Sequence, residues 1–210
     1  MKTVLKQPII CLVTDRTACL GRPLEELVAC SVRAGVNLVQ LREKELPTRD
    51  LYQLGSSLLK PVREGGAALV INDRADVALA LGADGVHLGS NSLPIKEVRK
   101  LVGNEMLIGA SIHSLEEALS AEQEGADYLV LGTIFETRSH PGARPAGLSL
   151  VTQVSAATSI PVVAIGGINC SNAYSVMKAG AQGVAVITAI LSAERAQAAT
   201  RDLLIECSRQ

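Results

Sequence analysis

Along this chain, short apolar runs rich in Val, Ile and Leu alternate with longer stretches whose apolar residues recur every third or fourth position. The runs lie at 9–14, 36–41, 68–71, 85–88, 107–111, 128–132, 162–165 and 183–187. A run apolar at nearly every position marks a strand covered on both faces, as in a parallel sheet. The intervening stretches read as helices over 23–34, 47–64, 75–81, 94–102, 114–124, 148–157 and 193–207, with another after Ser171. Leu24, Leu27, Val28 and Val32 show the helical spacing. Helix punctuation agrees: Pro47 suits a first turn and Gly65-Gly66 a stop. Ser114 to Glu117 has the form of a capping box, and Ser171 is placed to cap the helix after it. Eight strand–helix alternations with short connections predict a single (β/α)8 TIM barrel, residues 1–210 forming one domain.

The chain also repeats itself. Gly35-Val36-Asn37-Leu38, Gly82-Ala83-Asp84-Gly85, Gly125-Ala126-Asp127-Tyr128 and Gly180-Ala181-Gln182-Gly183 share one form and precede the second, fourth, sixth and eighth strands. A helix stop, a tight turn and a buried strand recurring at every second strand suggest a (βα)2 unit.

In such a barrel the carboxyl ends of the strands build the functional face. There the sequence places Gln40, Arg42 and Lys44, then Asn72-Asp73-Arg74, His87, Ser111 and Thr133, with Glu136 and Thr137 just beyond. Gly166-Gly167 after the seventh strand lets backbone N–H groups approach an anion without Cβ interference. Thr188-Ala189-Ile190 after the eighth opens a short helix. Together these two ends predict a phosphate cradle. Arg42, Lys44 and Arg74 supply positive charge, and Asp73 suits Mg²⁺, which takes one or two carboxylates plus phosphate oxygens. Asp73 could instead pair with Arg42 or Arg74. His87 reads as a hydrogen-bonded barrel histidine and His113 as structural. Glu136, His140 and Lys44 are the candidates for acid–base work.

Composition narrows the partners. Twenty Lys and Arg balance 21 Asp and Glu, so no global field recruits nucleic acid or an acidic membrane. One Phe, three Tyr and no Trp give few stacking platforms for bases. No apolar run reaches membrane-spanning length, and the first residues lack a signal-peptide core, so a cytoplasmic chain is expected. Five cysteines without a C-x-x-C pair suit a reducing compartment and read as small buried apolar side chains.

The segments Val39-Gln40-Leu41-Arg42-Glu43-Lys44, Ile71-Asn72-Asp73-Arg74, Gly85-Val86-His87-Leu88-Gly89, Ser111-Ile112-His113-Ser114, Gly125-Ala126-Asp127-Tyr128 and Ala164-Ile165-Gly166-Gly167-Ile168 occur in one order across nearly the whole chain. In these the chain resembles the thiamine-phosphate synthase and TenI (thiazole tautomerase) superfamily. The resemblance implies a dimeric TIM barrel in thiamine biosynthesis that binds thiazole phosphate. The synthase branch joins a pyrimidine pyrophosphate to thiazole phosphate with Mg²⁺, and the tautomerase branch aromatises the thiazole phosphate carboxylate without metal. By resemblance, Gln40, Arg42, Lys44 and Asn72 contact the pyrimidine pyrophosphate and Asp73 ligates Mg²⁺; Gly166, Gly167, Thr188 and Ala189 hold the thiazole phosphate.

Two departures from the synthase pattern bear on the branch. Ser92 stands where the synthase has a second metal-binding aspartate, and His140 stands where it has a lysine. Losing one carboxylate and one cation weakens leaving-group stabilisation. Phe135-Glu136-Thr137 resembles the tautomerase branch, although Thr133 occupies the place of that branch's histidine. The sequence is therefore read as TenI-like, needing no cofactor. The alternatives are a divergent Mg²⁺-dependent synthase, with Asp73 as metal ligand, and a non-catalytic binding homologue.

Overall fold

The computed structural model describes residues 3–137, 142 and 144–209. Among these, eight strands form a closed barrel: β1 (Ile9–Val13), β2 (Leu38–Leu41), β3 (Ala68–Asn72), β4 (Gly85–Leu88), β5 (Leu107–Ile112), β6 (Tyr128–Leu131), β7 (Val162–Ile165) and β8 (Gly183–Val186). Each pairs in parallel with the next, and β8 closes on β1 through Ile10 opposite Val184 and Leu12 opposite Val186. Around the barrel run α1 (Leu24–Ala34), α2 (Thr48–Glu64), α3 (Ala75–Leu81), α4 (Ile95–Val102), α5 (Leu115–Gln123), α6 (Gly147–Ala157), α7 (Ala173–Lys178), α8 (Thr188–Leu191) and α9 (Ala196–Cys207). This is the barrel the alternating pattern predicts. No helix of the described residues is long and apolar enough to cross a membrane.

Strand side chains divide between two cores. Outward positions such as Ile10, Leu12, Val39 and Leu69 meet the helices. Inward positions such as Ile9, Cys11, Val70, Tyr128 and Val163 fill the lower barrel. The uppermost inward layer is polar: Gln40, Asn72 and His87 are all buried. Sealing the bottom and leaving hydrogen-bonding groups at the top directs chemistry to the carboxyl ends of the strands.

The internal repeat has a structural cause. Gly35, Gly82, Gly125 and Gly180 all have positive φ, from 63 to 127°, which ends each helix without a Cβ penalty. Two residues later, a polar side chain reaches back to the opening N–H of an odd-numbered strand. Asn37 Oδ1 accepts from Ile10 N, Asp84 Oδ2 from Leu69 N, Asp127 Oδ2 from Ile108 N and Gln182 Oε1 from Val162 N. Each would otherwise be a buried, unmatched donor.

Several boundaries differ from the sequence pattern. β2 starts at Leu38 rather than 36, because Asn37 spends its side chain on Ile10 N and on the carbonyls of Lys6 and Pro8. Ser171 does not cap α7: its hydroxyl donates to Asn169 Oδ1, and the helix begins at Ala173. The last helix begins at Ala196, not 193, because Arg22 holds the carbonyls of Ala193 and Glu194 outside it. A 3-10 turn at Arg16–Cys19, capped by the Asp15 carboxylate, was not evident from apolar spacing. The cysteines also divide: Cys11, Cys19 and Cys207 are buried, Cys30 is half-buried and Cys170 is exposed. Burial pushes the Cys11 and Cys207 thiols up to about 12, which leaves them unreactive.

Candidate active site

The strand ends enclose a cavity of about 690 Å³ at the polar end of the barrel. Gln40, Arg42, Lys44, Asn72, Asp73, Ser111, Glu136, Thr137, Gly166, Gly167, Thr188 and Ala189 all line it. These include every substrate-binding candidate read from the sequence except Arg74. His140 lies outside the described residues. Arg74 does not line the cavity: it turns away to Asp76, 2.5 Å from that carboxylate, and to Thr48 Oγ1 at 2.9 Å. It is not one of the cavity's cations, and the Asp76 carboxyl falls below its usual range beside it.

One wall of the cavity is a polar chain between adjacent strands. Gln40 Nε2 donates to Asn72 Oδ1 at 2.8 Å, and Asn72 Nδ2 donates to Asp73 Oδ2 at 2.6 Å. The other Asp73 oxygen accepts from the Ser92 hydroxyl and, at 3.2 Å, from Gly89 N. Ser92 Oγ in turn accepts from Gly89 N at 2.7 Å. Asp73 sits at φ 61°, a left-handed conformation that Asp tolerates better than most residues. That turn tips its carboxylate toward the mouth. Asp73 therefore pairs with neither Arg42 nor Arg74. Among the described residues no three His, Cys, Asp or Glu side chains cluster to hold a metal alone. A single exposed carboxylate beside a hydroxyl still fits Mg²⁺, a hard cation that keeps waters and takes substrate phosphate oxygens.

The opposite wall is backbone. Gly166 and Gly167 have φ of 105 and 64°. A Cβ on Gly166 would lie 2.6 Å from Thr133 Cγ2, and one on Gly167 would collide with Glu136 O and lie 2.9 Å from Phe135 Cβ. The turn is laced to the segment after β6 through Ile134 N to Ile165 O and Phe135 N to Gly166 O. α8 begins at Thr188 beside it.

The floor holds His87 and Ser111, their Nε2 and Oγ 2.8 Å apart. His113 lines the mouth, its Nδ1 2.5 Å from Gly132 O and its backbone N donating to Glu117 Oε2 at 2.6 Å. Burial lowers the His87 imidazole from 6.5 to about 4, with Asp73 opposing the fall and Arg42 adding to it. A depressed folded pKa means that the unfolded chain takes up the proton first. The stability tied to His87 is then complete above pH 6.5 and declines by about 3 kcal/mol as the pH falls to 4. Urea melts of the native chain and of His87→Gln across that range should show the difference between them changing by this amount. A constant difference would show that His87 titrates normally.

Sequence reasoning assigned no role to Glu43 or Arg22. Glu43 is 4% exposed and points away from the cavity, between Arg42 and Lys44, which line it. Its Oε2 accepts from Arg16 N at 3.2 Å and lies 3.4 Å from Arg16 Nε, and burial raises its pKa. Glu43 thus straps the strand end bearing both cations to the loop after β1. Arg22 donates to the carbonyls of Cys19, Ala193, Glu194 and Leu191, fixing the end of α8. A guanidinium bonded to backbone carbonyls some 170 residues away leaves no side-chain pattern to read.

The family model described as thiamine monophosphate synthase matches residues 10–190. The thiamine-phosphate synthase of Roseiflexus sp. (strain RS-1) is 44% identical over 196 residues, covering 93% of this chain and 83% of that protein. That of Pyrococcus furiosus is 45% identical over 191 residues, covering 91% and 90%. The solved thiamine phosphate pyrophosphorylase from Pyrococcus furiosus superposes with a TM-score of 0.88 at 42% identity, covering 95% of each chain. A 3-hexulose-6-phosphate synthase, at 17% identity and a TM-score of 0.70, shares the fold alone. These relatives mark the chain as an enzyme of the transferase class, and they back the synthase alternative better than the tautomerase reading preferred on sequence. That preference leaned on Ser92, whose hydroxyl in fact supports the Asp73 carboxylate. With the family model matching from β1 to the short helix after β8, the chain belongs to the thiamine monophosphate synthase family.

Proposed function

We propose that this chain is a thiamine-phosphate synthase, joining hydroxymethylpyrimidine pyrophosphate to thiazole phosphate. A C–N bond to the thiazole ring nitrogen forms as the C–O bond to pyrophosphate breaks. One observation carries the reading: a single cavity has two cations and a carboxylate on one wall and a twin-glycine turn on the other. That arrangement suits two anionic substrates held with their reactive ends together. Arg42 and Lys44 bind the pyrophosphate and offset its charge as it leaves. Asp73 would hold Mg²⁺, which supplies further neutralisation of the leaving group. Gln40 and Asn72 hold the Asp73 carboxylate in place and face the pyrimidine. The N–H groups at Gly166, Gly167, Thr188 and Ala189 bind the thiazole phosphate, and Thr137 closes over it. The working form is proposed to be a cytoplasmic homodimer, which light scattering would test.

The purified chain, given both substrates and Mg²⁺, should form thiamine phosphate and release pyrophosphate in equal amounts. If no product forms while NMR shows proton exchange in the thiazole phosphate carboxylate, the tautomerase reading replaces this one, with Glu136 and Lys44 as the acid–base candidates within the described cavity. If neither reaction runs but thiazole phosphate raises the melting temperature, the chain is a binding homologue.

A further inference from the structure

We infer that the buried pair Tyr128 and His87 sets the direction of the Ser111 hydroxyl, so that Ser111 meets a ligand as a hydrogen-bond donor. The three residues form a line from the sealed barrel interior to the cavity. Tyr128 OH lies 3.3 Å from His87 Nδ1, and His87 Nε2 lies 2.8 Å from Ser111 Oγ. Tyr128 and His87 are 0% and 1% exposed, while Ser111 is half-buried and lines the cavity. Gly109 makes the pairing possible: a Cβ there would collide with the Tyr128 phenol and lie 2.6 Å from His87 Nδ1.

The polarity follows from accounting for protons. Among the described residues, the hydrogen-bond partner of the Tyr128 hydroxyl is His87 Nδ1. A buried O–H left without an acceptor is destabilising. If Nδ1 carried the imidazole proton, it would donate to the phenol oxygen and strand that O–H. The phenol therefore donates and Nδ1 accepts. A neutral imidazole then carries its one proton on Nε2 and donates it to Ser111 Oγ. Ser111, already accepting from the ring, has its own proton left for the cavity. An unprotonated acceptor, a phosphate oxygen or a ring nitrogen, takes that proton; a donor group would find only the second Oγ lone pair and leave the proton unused. Tyr128 and His87 are thus positioning residues, two and one steps removed from the ligand. The identity of the acceptor as part of a synthase substrate rests on the function proposed above, whereas the polarity of the line does not.

Two measurements on the full chain test this separately. ¹⁵N NMR of histidine-labelled protein, with His87 assigned through His87→Gln, should show the Nε2–H tautomer, both free and saturated with inorganic pyrophosphate. An Nδ1–H tautomer in either state overturns the inference, whatever the enzyme does. In steady-state assays Ser111→Ala should lower kcat/KM about tenfold, the worth of one hydrogen bond. Tyr128→Phe keeps the ring and should lower kcat/KM severalfold in the native background and not at all on top of Ser111→Ala. An equal loss in both backgrounds, or none in either, shows that Tyr128 does not act through Ser111 and overturns the inference. If the chain lacks synthase activity, the NMR result still decides the polarity.

Discussion

Replacing Asp73 by Asn should slow thiamine phosphate formation by on the order of 10²–10³-fold, the loss seen when one preorganised charge-stabilising group is removed. The substitution is nearly isosteric, and Asn accepts the left-handed backbone that Asp73 adopts at φ 61°. Its amide oxygen can still accept from Ser92 and Gly89, so the turn between β3 and α3 keeps those supports, while its NH2 faces Asn72 Nδ2 and that one hydrogen bond is lost. What disappears with that bond is the negative charge. Asp73 and Glu136 are the carboxylates lining the described cavity, and Glu136 belongs to the opposite side, after β6. Among the described residues no second carboxylate beside Asp73 can take over a cation. The melting temperature should stay within a few degrees while calorimetric Mg²⁺ binding in the presence of pyrophosphate collapses. A variant that turns over at the native rate would remove metal-assisted pyrophosphate departure from the proposed mechanism.

The barrel was legible because parallel strands covered on both faces must be apolar, and nothing else in an ordinary sequence repeats such runs eight times between helical stretches. The cavity-lining residues were legible for a topological reason: whatever follows each run lies on the carboxyl rim. Arg74 shows the limit of that reasoning. It is one residue past Asp73, yet it initiates α3 and turns outward to Asp76, and an adjacent position in sequence carries no information about that choice. Ser92 shows a second limit. Its type was readable as the loss of a metal-binding carboxylate, but its hydrogen bond to Asp73 depends on how the loop after β4 folds back over 19 residues of separation. The line from Tyr128 to Ser111 was hidden for the same reason. A histidine, a tyrosine and a serine on β4, β6 and β5 meet only because β5 lies between the other two with a glycine at the crossing point.

That dependence on absent side chains is strong at the twin-glycine turn, and Gly166→Ala should be among the most damaging single-methyl additions in the site. Gly166 has φ 105°, a region that residues with a Cβ rarely enter. The added methyl would sit 2.6 Å from Thr133 Cγ2, 2.9 Å from Thr133 Cα and 3.0 Å from Ile134 N. Two of those atoms are backbone, and that backbone is held by Ile134 N donating to Ile165 O at 2.9 Å and Phe135 N to Gly166 O at 3.0 Å. The segment cannot yield without breaking the ladder that shapes the cavity wall. Strain and overpacking together should lower stability by about 3 kcal/mol, a fall in Tm of roughly 6–12 °C for a chain of this size. The same displacement moves the N–H groups at Gly166 and Gly167 that are proposed to bind the thiazole phosphate, so KM for that substrate should rise more than tenfold while KM for the pyrimidine pyrophosphate changes little. Gly103→Ala is the matched control. It follows α4 at φ 70°, with no atom within 4 Å of an added Cβ, so it carries backbone strain without collision. It should lower stability by roughly 1–3 kcal/mol and leave both KM values unchanged. If the two variants prove equally stable and equally active, the close approach at Gly166 does not shape the phosphate side of the cavity, and the proposed thiazole phosphate site would have to lie elsewhere.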